Sequence, residues 1–161
     1  MARMKEEVEE ELALILYIND RRKLSYEQLI SWAGARYNEE SVFQRVVIES
    51  TGISDAIEIL MEVFSRREFS ESMLLSKIAA KLHRGETTLV DAVGATYELL
   101  NSEGGGTHEL SGILYSFVDN YSTESMAEYE GRIRNSNFSA VLNKFNTGEY
   151  DRLFNRVFEK K

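Results

Sequence analysis

Residues 8–18 read VEEELALILYI, and this stretch decides the fold class. With Met4 placed before it, the apolar residues recur at steps of four and three, the spacing of one face of an α-helix: Met4, Val8, Leu12, Ile15 and Leu16. The cations Arg21, Arg22 and Lys23 follow, and cations suit the carboxyl end of a helix. The sequence therefore predicts a long amphipathic helix near the start of the chain.

The same spacing continues along the rest of the chain, which contains no proline. Ser25 with Gln28, and Ser41 with Gln44, have the spacing of a capping box, which marks the start of a helix. Gly85 follows an apolar-periodic segment and is typical of a helix carboxyl cap. We therefore expect an all-α protein, a single-domain orthogonal or irregular helical bundle of about nine short amphipathic helices over residues 1–161.

Three segments qualify this prediction. Three glycines at 104–106 indicate a flexible break, after which Thr107 should start a new helix; Ser122 or Thr123 should cap the later helix that contains Met126. The stretch RVVIESTGI at 45–53 is rich in β-branched residues, so helix and strand both remain open there. Residues 132–161 form a basic, aromatic carboxyl-terminal segment.

Composition excludes several function classes. The chain has 161 residues, two histidines and no cysteine, so a disulfide scaffold, a zinc–thiolate site and a cysteine nucleophile are excluded. No apolar run approaches the roughly 20 residues of a membrane span, and the first residues lack the pattern of a signal peptide. We expect a soluble, cytoplasmic protein with no metal site, no cofactor and no small-molecule ligand.

Charge is distributed unevenly along the chain. The formal net charge of −8 disfavours general binding to nucleic-acid backbones. Residues 85–131 contain nine acidic residues and neither lysine nor arginine, whereas residues 132–161 are net basic. The basic segment is thus the natural electrostatic complement of the acidic stretch, either within the chain or between the chain and a partner.

Aromatic residues are concentrated in the carboxyl-terminal segment, interleaved with cations. Aromatic and arginine side chains are the usual centres of protein–protein interfaces. We therefore expect this segment to contact another protein or a second copy of the chain. The candidate partner-binding residues are Phe138, Phe145, Tyr150, Arg152, Phe154, Arg156 and Phe158.

An alternative function comes from residues 78–89, which read IAAKLHRGETTL. This pattern resembles the helix-turn-helix of DNA-binding regulators, which implies a second helix that reads the major groove. The residues that would contact nucleic acid are Lys77, Lys81, Arg84, Thr87 and Thr88. The would-be recognition helix carries Asp91 and Glu98 and no cation, which disfavours this alternative.

A second alternative comes from the order of elements. A first helix at 10–21, the early Trp32 and a central helix at 73–82 resemble the helical bundles that regulate apoptosis by gripping a partner helix, including viral ones. The resemblance implies a groove for an amphipathic helix. The N-W-G-R signature of that family has no counterpart, because residues 68–71 read EFSE.

No phosphate loop, nucleophile elbow or ligand cluster is apparent in the sequence. We therefore expect that the protein is not an enzyme. The favoured function is that of a non-catalytic protein-interaction module, an adaptor or a small subunit of a larger assembly.

Overall fold

The computed structural model describes residues 2–102, 109–118 and 125–158. Within these ranges the chain is all-helical, as predicted, with ten α-helices and no strand. No helix there is long and apolar enough to span a membrane. The helices are α1 (Ala2–Asp20), α2 (Tyr26–Ala35), α3 (Ser41–Glu49), α4 (Ile53–Met61), α5 (Glu71–His83), α6 (Leu89–Ser102), α7 (Glu109–Val118), α8 (Met126–Arg134), α9 (Phe138–Asn143) and α10 (Glu149–Phe158).

Local capping explains where several helices begin and end. Ser25 and Gln28 form the expected capping box, each side chain bonding to the other residue's backbone N–H. At the end of α5, the N–H of Glu86 donates to the carbonyl of Lys81 at 2.8 Å, and Gly85 adopts a φ of +75°. This is the Schellman arrangement, in which glycine takes up the left-handed conformation without steric cost. Both predictions are confirmed.

The predicted capping box at Ser41 is wrong. Helix α3 is preceded by Glu40, so Ser41 is already its first helical residue, and no side chain caps the helix. The Gln44 side chain instead donates to the carbonyl of Tyr37 at 3.2 Å. Thr107, Ser122, Thr123 and the glycines 104–106 lie outside the described residues, and Ser125 provides the capping box of α8.

The stretch at 45–53 is helical and is interrupted once. Residues 45–49 complete α3, and Ile53 begins α4 after Ser50–Gly52. The hydroxyl of Tyr26 lies 2.8 Å from the carbonyl oxygen of Ser50, which fixes the end of α3 against the start of α2. Tertiary contact thus overrides the β-branched composition.

The chain divides into two compact units, each with its own packing. Unit 1 comprises Met1–Phe69 together with Arg152–Lys161, and unit 2 comprises Ser70–Asp151. Helices α1–α4 belong to unit 1 and α5–α9 to unit 2, while α10 contributes residues to both. The expectation of a single domain stays a prediction.

Helix α1 forms the centre of unit 1. Residues 12–16 are all buried, so this part of the helix is covered on every side, as expected of a core helix. Helices α2, α3 and α4 pack in sequence, α2 on α3 and α3 on α4. The Phe43 ring joins this layer by packing edge-on to Trp32 at 5.7 Å and against Phe64 at 5.6 Å.

Unit 2 encloses a separate apolar cluster contributed by α5–α9. Phe117 packs edge-on against both Tyr129 and Phe138, each at a centroid distance of 6.4 Å. Arg132 of α8 donates to the carbonyls of Ser116 and Phe117 at 2.8 Å, where α7 approaches its carboxyl end. The fully or nearly fully buried members are Leu75, Ala79, Ala92, Val93, Leu100, Leu110, Leu114, Phe117, Ile133, Phe138, Val141 and Leu142.

Replacement of Leu60 by Ala should lower the free energy of unfolding by about 2–5 kcal/mol, because this fully buried side chain would leave a cavity. Ile48 of α3 is 69% exposed, so Ile48→Ala should change it by less than about 0.5 kcal/mol. Denaturant titrations followed by circular dichroism would measure both values. Equal losses for the two variants would contradict the assignment of the core.

Candidate interaction surface

The carboxyl-terminal aromatic residues are dispersed rather than gathered on one surface. Phe138 is fully buried and Tyr150 nearly so. Phe145 is partly buried against the apolar cluster of unit 2. In this structure these three rings stabilise the unit to which they belong, and Phe138 and Tyr150 are closed to a partner.

Helix α10 has one buried and one partly open side. Leu153 and Val157 are buried, whereas Phe154 and Phe158 are half-buried with ring centroids 5.0 Å apart. Arg152 is exposed. Partner binding by the predicted residues stays a prediction, and only part of the set is accessible.

Arg156 of α10 contributes instead to a buried ionic cluster in unit 1. Its Nε donates to Glu11 Oε2 at 2.7 Å, and its Nη2 donates to Glu10 Oε1 at 2.6 Å. Arg156 is thus paired within unit 1, and the expected complementarity of the basic segment to residues 85–131 stays a prediction. The carboxylate partners of Arg156 lie on α1, more than 140 positions away along the chain.

The centre of this cluster is Glu11, whose side chain is only 2% exposed. Its Oε1 accepts a hydrogen bond from Trp32 Nε1 at 2.8 Å, and Arg36 Nη2 lies 3.0 Å from both carboxylate oxygens. Arg156 is a third donor. The negative charge of Glu11 is therefore neutralised, and both of its carboxylate oxygens accept hydrogen bonds. We call Glu11, Trp32, Arg36 and Arg156 the Glu11 cluster.

Arg36 illustrates how the cluster balances burial against charge. Burial alone would lower the pKa of its guanidinium. Hydrogen bonds to Glu7 and Glu11 outweigh that effect and hold the pKa above its ordinary value. Arg36 therefore stays charged beside Glu11, which is the condition for keeping that carboxylate buried.

Glu11→Ala should lower the free energy of unfolding by about 2–3 kcal/mol, because it removes the buried acceptor that Trp32, Arg36 and Arg156 share, while Arg36 keeps its ion pair with Glu7. Glu10→Ala removes a half-exposed partner of Arg156 and should cost less than about 1 kcal/mol. Chemical denaturation of the two variants would measure the difference. A loss for Glu11→Ala as small as that for Glu10→Ala would show that the cluster contributes little.

The residues of the helix-turn-helix alternative have other contacts. Arg84 donates to Glu86 at 2.8 Å and to Asp151 at 2.7 Å, so its charge is already paired. Thr88 caps α6 through a bond from the N–H of Asp91 at 3.1 Å. The ammonium group of Lys77 lies 5.3 Å from the ring centroid of Tyr150. Lys81 is exposed and Thr87 half-buried.

An open groove of about 480 Å³ lies in unit 2 among α5, α9 and the start of α6. Its lining is mostly apolar, with His83, Ser139 and Asn143 as polar members. Among the described residues there is no group of three or more histidine, aspartate or glutamate side chains placed to hold a metal ion. The groove therefore has no cluster of this kind to serve as a metal site.

A run of three cations lies at the carboxyl end of α1. Arg21, Arg22 and Lys23 are all exposed there. Arg66 is held beside this run by an ion pair with Asp20, at 3.2 Å between Nη2 and Oδ2. We call Arg21, Arg22, Lys23 and Arg66 the basic end.

The backbone of the basic end is strained at one residue. Lys23 N–H donates to the carbonyl of Ile18, and Arg22 N–H donates to that of Asn19 at 2.8 Å, which is again a Schellman ending. Arg22 takes the left-handed position with a φ of +57°, where glycine is usual. It is the one non-glycine residue with positive φ in the described ranges.

Aromatic side chains fix the orientation of Arg21. Its guanidinium carbon lies 3.6 Å from the ring centroid of Tyr17, and its Nη1 donates to the Tyr17 carbonyl at 3.2 Å. The Phe69 ring stacks on Tyr17 at 4.9 Å. Burial raises the pKa of the Tyr17 hydroxyl and the charge of Arg21 opposes that rise, so the ring stays neutral near pH 7.

Three of the four cations of the basic end lack the ion pairs that neutralise Arg45 and Arg84. Arg45 lies between Glu49 and Glu62, and Arg84 lies between Glu86 and Asp151. Arg21, Arg22 and Lys23 have no ion-pair partner among the described residues. In a chain with more acidic than basic residues, these three cations stay available.

The sequence interpretation missed this surface, because it assigned Arg21, Arg22 and Lys23 to favourable placement at a helix end. The signal that could have found it is a run of three cations at a helix end with no glycine to terminate the helix. The contribution of Arg66 could not be seen, because it depends on a contact across 46 positions.

No family model matches the chain, and neither a curated protein nor a solved structure matches it. Functional conclusions therefore depend on the chain's own residues and geometry.

Arg22→Gly should raise the free energy of unfolding by about 1 kcal/mol, because glycine relieves the steric cost of the left-handed conformation. Lys23→Gly removes the same charge at a position without positive φ and should give no gain. Thermal and denaturant unfolding would measure both changes. A loss of stability in Arg22→Gly would contradict the presence of strain at this residue.

Proposed function

We propose that the chain is a non-catalytic protein-interaction module that binds a carboxylate-rich protein surface through the basic end. The supporting observation is that three exposed cations without an ion-pair partner lie at the strained carboxyl end of α1, although the chain as a whole carries a net negative charge. The proposal assigns no reaction and no cofactor.

The geometry of Arg21 suits recognition of carboxylates. A guanidinium presents several N–H donors in one plane, which matches the two oxygens of a carboxylate. The Tyr17 ring and carbonyl already restrict this side chain, so less conformational entropy is lost when it binds. A restricted arginine binds more strongly than a freely moving one for the same contact.

Nucleic acid is the less favoured partner of the basic end. Tyr17 has the Arg21 guanidinium and the Phe69 ring stacked on it, so it offers no free face for a base.

A labelled poly-glutamate peptide is the direct probe of this proposal. Fluorescence anisotropy should show binding at low salt that weakens as salt is added, because exposed ion pairs are screened. Arg22→Glu should weaken binding about tenfold, which corresponds to 1.4 kcal/mol. Arg134→Glu makes the same charge change at an exposed position on α8 and should leave the affinity within about twofold.

Two outcomes would overturn the proposal. Equal loss of binding in Arg22→Glu and Arg134→Glu would show an effect of net charge and no specific surface. Tighter binding of random duplex DNA than of the peptide, lost in Arg22→Glu, would assign the basic end to nucleic acid. For a protein that neutralises six phosphates, the log–log salt dependence of DNA binding would be near −5, roughly.

A further inference from the structure

Helix α6 presents an acidic, flat stripe on its outer side. Asp91, Gly94, Ala95 and Glu98 are all exposed, and their spacing of three, four and seven places them on one face. The opposite side carries Ala92, Val93 and Leu100, which are buried in unit 2. We call the four exposed residues the acidic stripe.

The acidic stripe has two carboxylates separated by residues with small side chains. Seven residues of helix place Asp91 and Glu98 about 10 Å apart along the axis. Gly94 and Ala95 lie between them, and the absence of long side chains lets another surface approach closely. Its dimensions suit a short run of arginine and lysine side chains.

Neither carboxylate of the acidic stripe is neutralised within the described chain. Asp91 and Glu98 have no ion-pair partner there, in contrast to Glu62 and Glu86, whose pKa values are lowered chiefly by hydrogen bonds from Arg45 and Arg84. The surrounding sequence from 85 to 131 supplies no lysine or arginine. The stripe and the basic end are thus two unsatisfied surfaces of opposite charge in one chain.

We infer that the basic end of one copy binds the acidic stripe of a second copy. The inference rests on the proposed function and names the partner of the same surface. Arg21 and Arg22 pair with Asp91 and Glu98 of the second copy, and the small residues of α6 lie beneath them. A single contact of this kind is head-to-tail, because the two surfaces differ, and the pair retains one free basic end and one free stripe.

Charge complementarity is what selects a second copy as the occupant. Each molecule carries both halves of the contact, so association requires no other component. The contact is mostly polar and exposed, so it should be salt-sensitive and strongest at low ionic strength.

Two variants isolate the contact. The basic-end variant carries Arg21→Glu and Arg22→Glu. The stripe variant carries Asp91→Asn and Glu98→Lys. Asp91 is changed to a neutral residue because it lies in the first turn of α6, where a cation would oppose the helix dipole. Sedimentation velocity at about 0.05 M salt should show wild-type assemblies of two or more copies and each variant alone as a monomer.

Mixing the two variants is the decisive measurement. The basic-end variant keeps an intact stripe and the stripe variant keeps an intact basic end, so the mixture should form one-to-one dimers and nothing larger. The control, Glu58→Lys with Arg134→Glu, reverses one acidic and one basic exposed charge elsewhere without changing the net charge, and it should associate like the wild type. Circular dichroism would establish that every variant keeps its helix content.

A wild-type monomer at low salt would overturn the inference. Persistence of assembly in either variant, or a mixture that stays monomeric while the wild type assembles, would also overturn it. Binding of the poly-glutamate peptide by a monomeric wild type would leave the proposed function intact and remove only the second copy as partner. Failure of the stripe variant, which keeps a free basic end, to bind the poly-glutamate peptide would overturn the proposed carboxylate recognition.

Discussion

A single buried carboxylate constrains unit 1 more than any other group. Glu11 lies on the central helix among apolar residues, where an unpaired charge would be strongly destabilising. It is tolerated because Trp32, Arg36 and Arg156 supply donors from two other helices. The position of α2, and of the part of α10 in unit 1, is therefore set by the need to satisfy this carboxylate as well as by apolar packing.

The same constraint explains how charge is distributed over unit 1. The glutamates of α1 accept from cations of α2 and α10, and Glu9 accepts from the backbone N–H of Ser65 at 2.7 Å and from Arg67. These bonds neutralise cations along the amino-terminal part of α1. At the carboxyl end of α1, Asp20 is already paired with Arg66. Arg21, Arg22 and Lys23 have no ion-pair partner there among the described residues.

Sequence reasoning succeeded where a local interaction determined the structure. The cap at Ser25 and the helix ending at Gly85 depend on bonds between residues at most five positions apart. It failed where distant partners decide. Nothing near Phe138 in the sequence shows that Phe117 covers it, and nothing near Arg156 indicates Glu11. The predicted contact surface was drawn from composition, which does not distinguish an aromatic residue that closes a core from one that meets a partner.

Helices α1 and α5 end with the same pattern of backbone hydrogen bonds, yet one uses arginine where the other uses glycine. At Gly85 the chain uses glycine, the usual residue for the left-handed position of this helix ending. A cation at a helix carboxyl end gains about 0.3–1 kcal/mol from the dipole, less than the roughly 1–2 kcal/mol cost of a left-handed non-glycine residue. The flanking Arg21 and Lys23 already supply that dipole interaction. The helix dipole therefore does not offset the strain at Arg22, and this imbalance is what supports the proposed role of its charge in binding.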